Sequence, residues 1–401
     1  MTIFQDNVLG LRLLFALIIA FAISFGATPI VKTFAEKVGA MDVPGEARRM
    51  HDHPIPRMGG LAIFLGFILS VVLLVPLTRE LRGILLGAVI IVTVGIIDDL
   101  VSLSAMKKLI AQLIAAVIPV LHGVVIRVVM NPNLFSGDQP LFLGVLGIPI
   151  TILWIVGITN SVNLIDGLDG LAVGVSTVSS ITILVVSLIV SEPTVALVLA
   201  ALTGACIGFM PYNINPAKIF MGDTGALLLG YILATMSVLG MFKFYALVTF
   251  AVPVLALAVP LSDTIFAFLR RLLRGQNPMT PDRGHFHHRL IDMGLSQKQA
   301  VAILYAVSAL LGLAAVVLAT SGAVRILLLV FTFLLAGVVW VMIYRDLHQL
   351  KKNAAEAQHN ASPETSPKTE AAEASPETAP ITAAPPDDDP GQNKESEVPN
   401  G

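Results

Sequence analysis

Cysteine is nearly absent from this chain. Its single copy, Cys206, excludes an intrachain disulfide and any metal site built on several cysteines, and its apolar setting reads as that of a small buried residue. Charge is scarce as well: of 401 residues, 13% are charged and 55% hydrophobic. A soluble domain of that composition would lack the polar groups to cover its surface. Neither a Walker A loop nor a glycine-rich dinucleotide fingerprint occurs, which removes the nucleotide-binding folds that carry those signatures. The net charge of −2 gives no sign of nucleic acid, and none is expected as a partner. The first apolar run lacks a marked small-residue cleavage site, so it is expected to remain as a span.

What the chain does have is a series of long apolar runs. Stretches of about 17–25 such residues can cross a bilayer as helices. The runs are continuous rather than alternating, which excludes barrel strands. Eleven spans are expected, near 8–29, 60–77, 83–97, 108–126, 144–159, 171–190, 195–210, 225–240, 246–268, 299–320 and 323–343. The expected fold is all-α, a polytopic integral membrane protein whose membrane-embedded domain covers residues 1–345. Residues 346–401 are rich in Ala, Pro, Glu, Ser and Thr and repeat SPET at 362–365 and 375–378. They hold too few bulky apolar groups to offset the entropy of ordering, so a disordered tail is expected there.

Eleven spans place the termini on opposite sides, and basic residues in the short loops decide which. Lys32, Lys37, Arg48, Arg49 and Arg57, then Lys107 and Lys108, then Arg270, Arg271, Arg274, Arg283 and Arg289 fall in loops of one side. The opposite loops hold only Arg79, Arg82, Arg127, Lys243 and Arg325. The first side is therefore expected to be cytoplasmic, with the N-terminus outside and the tail inside.

The polar motifs gather on that same side. TNSVNLIDGLDG (159–170) spaces Asn160, Asn163, Asp166 and Asp169 three apart. In a strict helix this would spread them over about half the circumference, and Gly167 and Gly170 suggest that the helix loosens. Asn and Asp oxygens are hard ligands suited to Mg2+ or Mn2+. GIIDDL carries Asp98 and Asp99, adjacent carboxylates that repel unless a cation or proton lies between them. FMGDTG puts Asp223 between glycines at the start of a span. DRGHFHHRL groups Arg283, His285, His287, His288 and Arg289, a set suited to phosphate oxygens. RRMHDHPIPRMGG adds Arg57 among prolines and could cover the site or bind an anionic lipid group. Taken singly, these also read as a solvated helix end, an Asn/Asp/Gly turn, a helix cap or a basic loop on lipid head groups. Their convergence on one face points instead to phosphoryl transfer between a water-soluble donor and a lipid acceptor.

With HPIPRMGG, GIIDDLVSLSAMKKL, TNSVNLIDGLDGLAVG, NINPAKIFMGDTGALLLG and DRGHFHHRL in this order, the chain resembles the polyprenyl-phosphate N-acetylhexosamine-1-phosphate transferases, glycosyltransferase family 4. The resemblance covers residues 1 to about 345. It implies transfer of a sugar 1-phosphate from a UDP-sugar to a polyprenyl phosphate, with release of UMP. By resemblance, Mg2+ (or Mn2+) sits at Asn163 and Asp223, and Asp98 is the base, with Asp99 and Asp166 catalytic beside it. Lys108, Arg57, Asn160, Asp169, Asn215, Arg283, His285, His287, His288 and Arg289 are expected to contact the substrates. HFHHRL is similar to the bacterial branch that primes teichoic acids and O-antigens. This implies UDP-GlcNAc as donor, undecaprenyl phosphate as acceptor and the plasma membrane as location; a homodimer is compatible with the chain. The other branch transfers phospho-MurNAc-pentapeptide. Among rival readings, a transporter would place its polar groups at the midplane and show internal repeats. An intramembrane protease would want G-x-G-D where Phe220-Met221-Gly222 stands, a CDP-alcohol phosphotransferase would need an Ala-Arg element after DGLDG, and a scaffold would be indifferent to loss of Asp98 or Asp223.

Overall fold

The computed structural model describes residues 2–43, 53–130, 140–241, 248–273, 275, 285–320, 325–337, 341 and 345. The expected tail and Arg283 lie outside the described residues. Helices follow the apolar runs, and one short helix, α11, forms in the histidine motif: α1 Thr2–Val38, α2 Gly60–Leu74, α3 Arg79–Val101, α4 Ala105–Leu121, α5 Gly147–Ile165, α6 Leu171–Ile189, α7 Pro193–Asn213, α8 Gly222–Met241, α9 Val248–Ala256, α10 Ala258–Leu273, α11 Phe286–Asp292 and α12 Gln297–Ala319. A further apolar helix covers Arg325–Gly337. Among the described residues, seven helices are long and apolar enough to cross a membrane. The chain is thus an all-α, multi-pass membrane protein.

Two short antiparallel ladders interrupt the helices. β1 (Met41–Asp42) pairs with β2 (Ile55–Pro56), and β3 (Val128–Met130) with β4 (Pro140–Phe142). The run expected as one span near 246–268 is two helices that meet at Leu257. Pro260 has no N–H for the Ala256 carbonyl but is tolerated in the first turn of a new helix, so the break falls just before it.

α8 is the centre of the bundle, with 89% of its apolar stretch buried; for α1 the figure is 17%. Apolar helices gain little by contact with each other instead of lipid, so close backbone approach at small residues decides how they associate. A Cβ on Gly60 of α2 would lie 2.0 Å from the Gly225 nitrogen of α8. One on Gly95 of α3 would lie 2.5 Å from the Thr224 Cα, and one on Gly230 of α8 would lie 2.7 Å from the Thr159 Cα of α5. Tyr231 is fully buried, and its hydroxyl lies 3.2 Å from the Ile84 carbonyl and 3.3 Å from that of Ala115, joining α8 to α3 and α4. This packing brings the C-terminal ends of α3, α5 and α7 to one end of the bundle, with the N-terminal ends of α4, α6 and α8.

Candidate active site

A cavity of about 410 Å³ opens at that end, lined by Asp42, Arg57, Asp99, Asn163, Asp166, Asp169, Asn215, Phe220, Asp223 and Gln297 among others. Its floor is the first turn of α8. Asp223 Oδ1 accepts from Asn163 Nδ2 of α5 at 2.7 Å, and its Oδ2 accepts from Lys108 Nζ of α4 at 2.7 Å. Lys108 also reaches Asp98 Oδ2 at 2.9 Å, so one ammonium bridges two carboxylates from different helices. Asp98 Oδ1 accepts the Leu103 N–H at 2.5 Å, which ties the acid to the α3–α4 turn.

Asp99 has different partners. Its carboxylate accepts the N–H groups of Asp223 (2.9 Å) and Thr224 (3.1 Å) and the Thr224 hydroxyl (2.6 Å). These are orphan donors of the α8 N-terminus, where a negative group is also favoured by the helix dipole. Gly222 makes the approach feasible: its φ is +70°, and a Cβ there would lie 2.5 Å from an Asp99 oxygen. Asp99, expected among the catalytic carboxylates, lines the cavity and also holds the turn that presents Asp223.

Asp166 follows the last turn of α5, and no hydrogen-bond donor among the described residues meets its carboxylate. Its pKa is pushed up to about 8, first by burial in the cleft and then by the charges of Asp223, Asp99 and Asp169. Asp169 accepts from Asn215 Nδ2 at 2.9 Å and from the Ala217 N–H at 3.0 Å, and Asn215 also donates to Gln297 Oε1 at 2.7 Å. HPIPRMGG forms the rim: the Phe220 N–H donates to the Pro56 carbonyl, and those of Gly59 and Gly60 to Phe220 and Met221. Arg57 thereby enters the cavity and pairs with Asp42. Burial opposes its charge, but the bond to Asp42 and the charges of Asp42, Asp99 and Asp223 outweigh that, and its pKa rises.

The model of the family described as "Glycosyl transferase family 4" matches residues 81–241, a stretch that contains Asp98, Asp99, Lys108, Asn163, Asp166 and Asp223. A probable undecaprenyl-phosphate N-acetylglucosaminyl 1-phosphate transferase of Bacillus subtilis is 41% identical over 312 residues, covering 78% of this chain and 86% of that protein. The chain belongs to glycosyl transferase family 4. A decaprenyl-phosphate N-acetylglucosaminephosphotransferase of Mycolicibacterium smegmatis is 35% identical over 71% of this chain and 76% of its own. A phospho-N-acetylmuramoyl-pentapeptide-transferase of Staphylococcus epidermidis is 30% identical over 74% of this chain and 96% of its own.

Of the other expected site residues, Asn160, His285, His287, His288 and Arg289 lie outside the cavity lining. Asn160 faces α4, where its amide pairs with Gln112. The histidines pack one layer behind. His285 Nδ1 lies 2.8 Å from Asp263 Oδ2, and Asp263 Oδ1 accepts the Phe286 N–H at 2.8 Å. His287 is 2% exposed, and its Nε2 would lie 2.3 Å from a Cβ on Gly167, so it backs the Asp166 loop. Its pKa is pushed down to about 4, by burial first and then by His288. His288 is partly buried and Arg289 exposed; neither lines the cavity. Asp42, Gln112, Asn213, Asp263 and Gln297 were not singled out in the sequence. Asp263 did carry a signal, as the one acid within an expected span.

Proposed function

We propose that this chain transfers GlcNAc-1-phosphate from UDP-GlcNAc to undecaprenyl phosphate, giving undecaprenyl-diphospho-GlcNAc and UMP. The reaction would be the first membrane step of a bacterial envelope polysaccharide. One observation carries the reading: Lys108, Asn163 and Asp223, from three helices, meet beside Asp98 at one end of an apolar bundle. The similarity to the Bacillus subtilis protein selects GlcNAc over the muramoyl-pentapeptide donor.

In this reading Asp98 takes the proton of the lipid phosphate, whose oxygen attacks the β-phosphorus of the donor. The bond between that phosphorus and the oxygen of the α-phosphate breaks, and UMP leaves. Lys108 holds charge between Asp98 and Asp223, and Asp99 positions Asp223 through α8. Arg57, Asp169 and Asn215 line the space for the donor. The oxygen donors of Asn163, Asp166 and Asp223 face one cavity, and Asp166 has no protein donor among the described residues; that donor set fits a hard divalent cation. Bound there, Mg2+ would draw negative charge from the pyrophosphate. The face is taken as cytoplasmic, with eleven spans and the N-terminus outside, on the distribution of Lys and Arg. Residues 346–401 are taken as a disordered tail outside the catalytic domain.

The test is transfer of radiolabel from UDP-GlcNAc to the organic phase by purified protein with undecaprenyl phosphate and Mg2+, with UDP-MurNAc-pentapeptide and EDTA in parallel arms. Lipid-linked GlcNAc that disappears with EDTA is expected. Label from the pentapeptide donor alone would overturn the substrate, and activity that persists in EDTA would overturn the metal.

A further inference from the structure

We propose that Gln112 and Asn160 form a positioning clamp that sets α4 against α5, so that Lys108 and Asn163 reach the same carboxylate of Asp223. The inference rests on the reaction proposed above, but its geometry stands independently. Gln112 is 3% exposed, and neither amide lines the cavity. The pair is reciprocal: Asn160 Nδ2 donates to Gln112 Oε1 at 2.5 Å, and Gln112 Nε2 donates to Asn160 Oδ1 at 3.3 Å. The second Nδ2 hydrogen of Asn160 goes to the Val156 carbonyl at 2.8 Å. A carbonyl only accepts, so this bond fixes which end of the Asn160 amide is the nitrogen, and with it the sense of the whole pair.

Sequence spacing connects the clamp to the site. Lys108 and Gln112 are four apart on α4, and Asn160 and Asn163 three apart on α5, so each pair shares a helix face. One layer holds the amide pair, and the next holds Lys108 and Asn163 on either side of Asp223. Apolar contacts between helices gain little over contacts with lipid, because lipid tails are as apolar as leucine. Two directional hydrogen bonds add a preference for one register: a slide or rotation of α4 against α5 breaks both. The clamp therefore controls whether Lys108 and Asn163 can hold Asp223 at once, while the residues lining the donor space sit largely on other segments.

Gln112→Leu keeps most of the volume and removes both bonds. Gln112→Glu keeps the acceptor and loses the donor. Gln112→Asn with Asn160→Gln restores an amide pair of the same combined length. In folded Gln112→Leu, kcat is expected to fall about 10- to 100-fold with little change in KM for UDP-GlcNAc; Gln112→Glu should fall between it and wild type, and the swapped pair should recover most of the loss. A second readout does not depend on turnover: labelling of Lys108 by an amine-reactive reagent, followed by mass spectrometry, is expected to speed up several-fold in Gln112→Leu and to return towards wild type in the swap. Wild-type kcat in Gln112→Leu, a change confined to KM, or a swap no better than Gln112→Leu would overturn the clamp. If Gln112→Leu does not fold, the glutamate and swapped variants carry the same comparison. If wild type shows no transfer from UDP-GlcNAc, the assigned reaction fails, and the labelling arm still decides the clamp: unchanged Lys108 labelling overturns it.

Discussion

Replacing Asp99 by asparagine tests whether this acid acts on the reacting atoms or through α8. Asparagine keeps the shape but exchanges one acceptor for a donor. Asp99 accepts from the Asp223 N–H, the Thr224 N–H and the Thr224 hydroxyl, and is only 7% exposed, so water cannot readily replace a lost partner. With the amide oxygen turned to Thr224, the new NH2 faces the Asp223 N–H. With the amide reversed, it faces the Thr224 N–H, although the hydroxyl can rotate to accept. Either way one donor in the first turn of α8 faces another donor. A hydrogen bond to a charged group contributes about 1.5–3 kcal/mol, and an orphaned buried donor costs about 1–3 kcal/mol. Asp99→Asn should therefore lower stability by about 2–4 kcal/mol, and should lower activity because Asp223 is no longer held in place. Thermal unfolding in detergent and transfer kinetics on the folded fraction measure the two effects. An Asp99→Asn protein that unfolds like wild type yet has lost transfer would refute the anchoring role and return Asp99 to the chemistry.

Lys108→Met removes the cation between Asp98 and Asp223; transfer should fall at least about 100-fold, and wild-type turnover would remove Lys108 from the site. Stability should also depend on pH in both directions. The pKa of Asp166 lies near 8 in the folded protein, against about 4 for a free carboxyl, so the folded state holds the proton more tightly, and in EDTA stability should decline as pH rises from about 4 to about 8. Asp166→Asn should flatten that slope in thermal unfolding. The pKa of His287 lies near 4, against about 6.5 when free, so stability should be lost as pH falls from about 6.5 to about 4. His287→Asn should reduce the acid loss, and unchanged curves in both variants would refute these two assignments.

Local features of the chain were legible where neighbours along the sequence decide them. The ends of the apolar runs near Asp98, Asp166 and Asp223 coincide with helix ends, because an uninterrupted run of apolar residues in lipid must satisfy its own backbone bonds as a helix. That these acids cluster at one end follows from alternation of the runs. The break at Leu257 was missed, because apolar composition alone does not register that Pro260 cannot bond back to Ala256. The histidine motif was legible as a cluster but not in its placement: Asp263, on another helix, draws His285 behind the Asp166 loop rather than into the cavity.

The sequence by itself determined the solvent, the helical class and the inventory of acids, amides and cations, since these depend on composition and on spacing within one run. Only the tertiary structure decided how that inventory is divided. Asp98 and Asp99 are neighbours in the chain, yet one faces Lys108 and the other caps α8, because successive side chains on a helix point about 100° apart. Lys108 and Asp223 are separated by 115 residues and lie 2.7 Å apart. The reason is physical: a helix end supplies direction and charge locally, but a hydrogen bond between helices exists only once packing has chosen which faces meet.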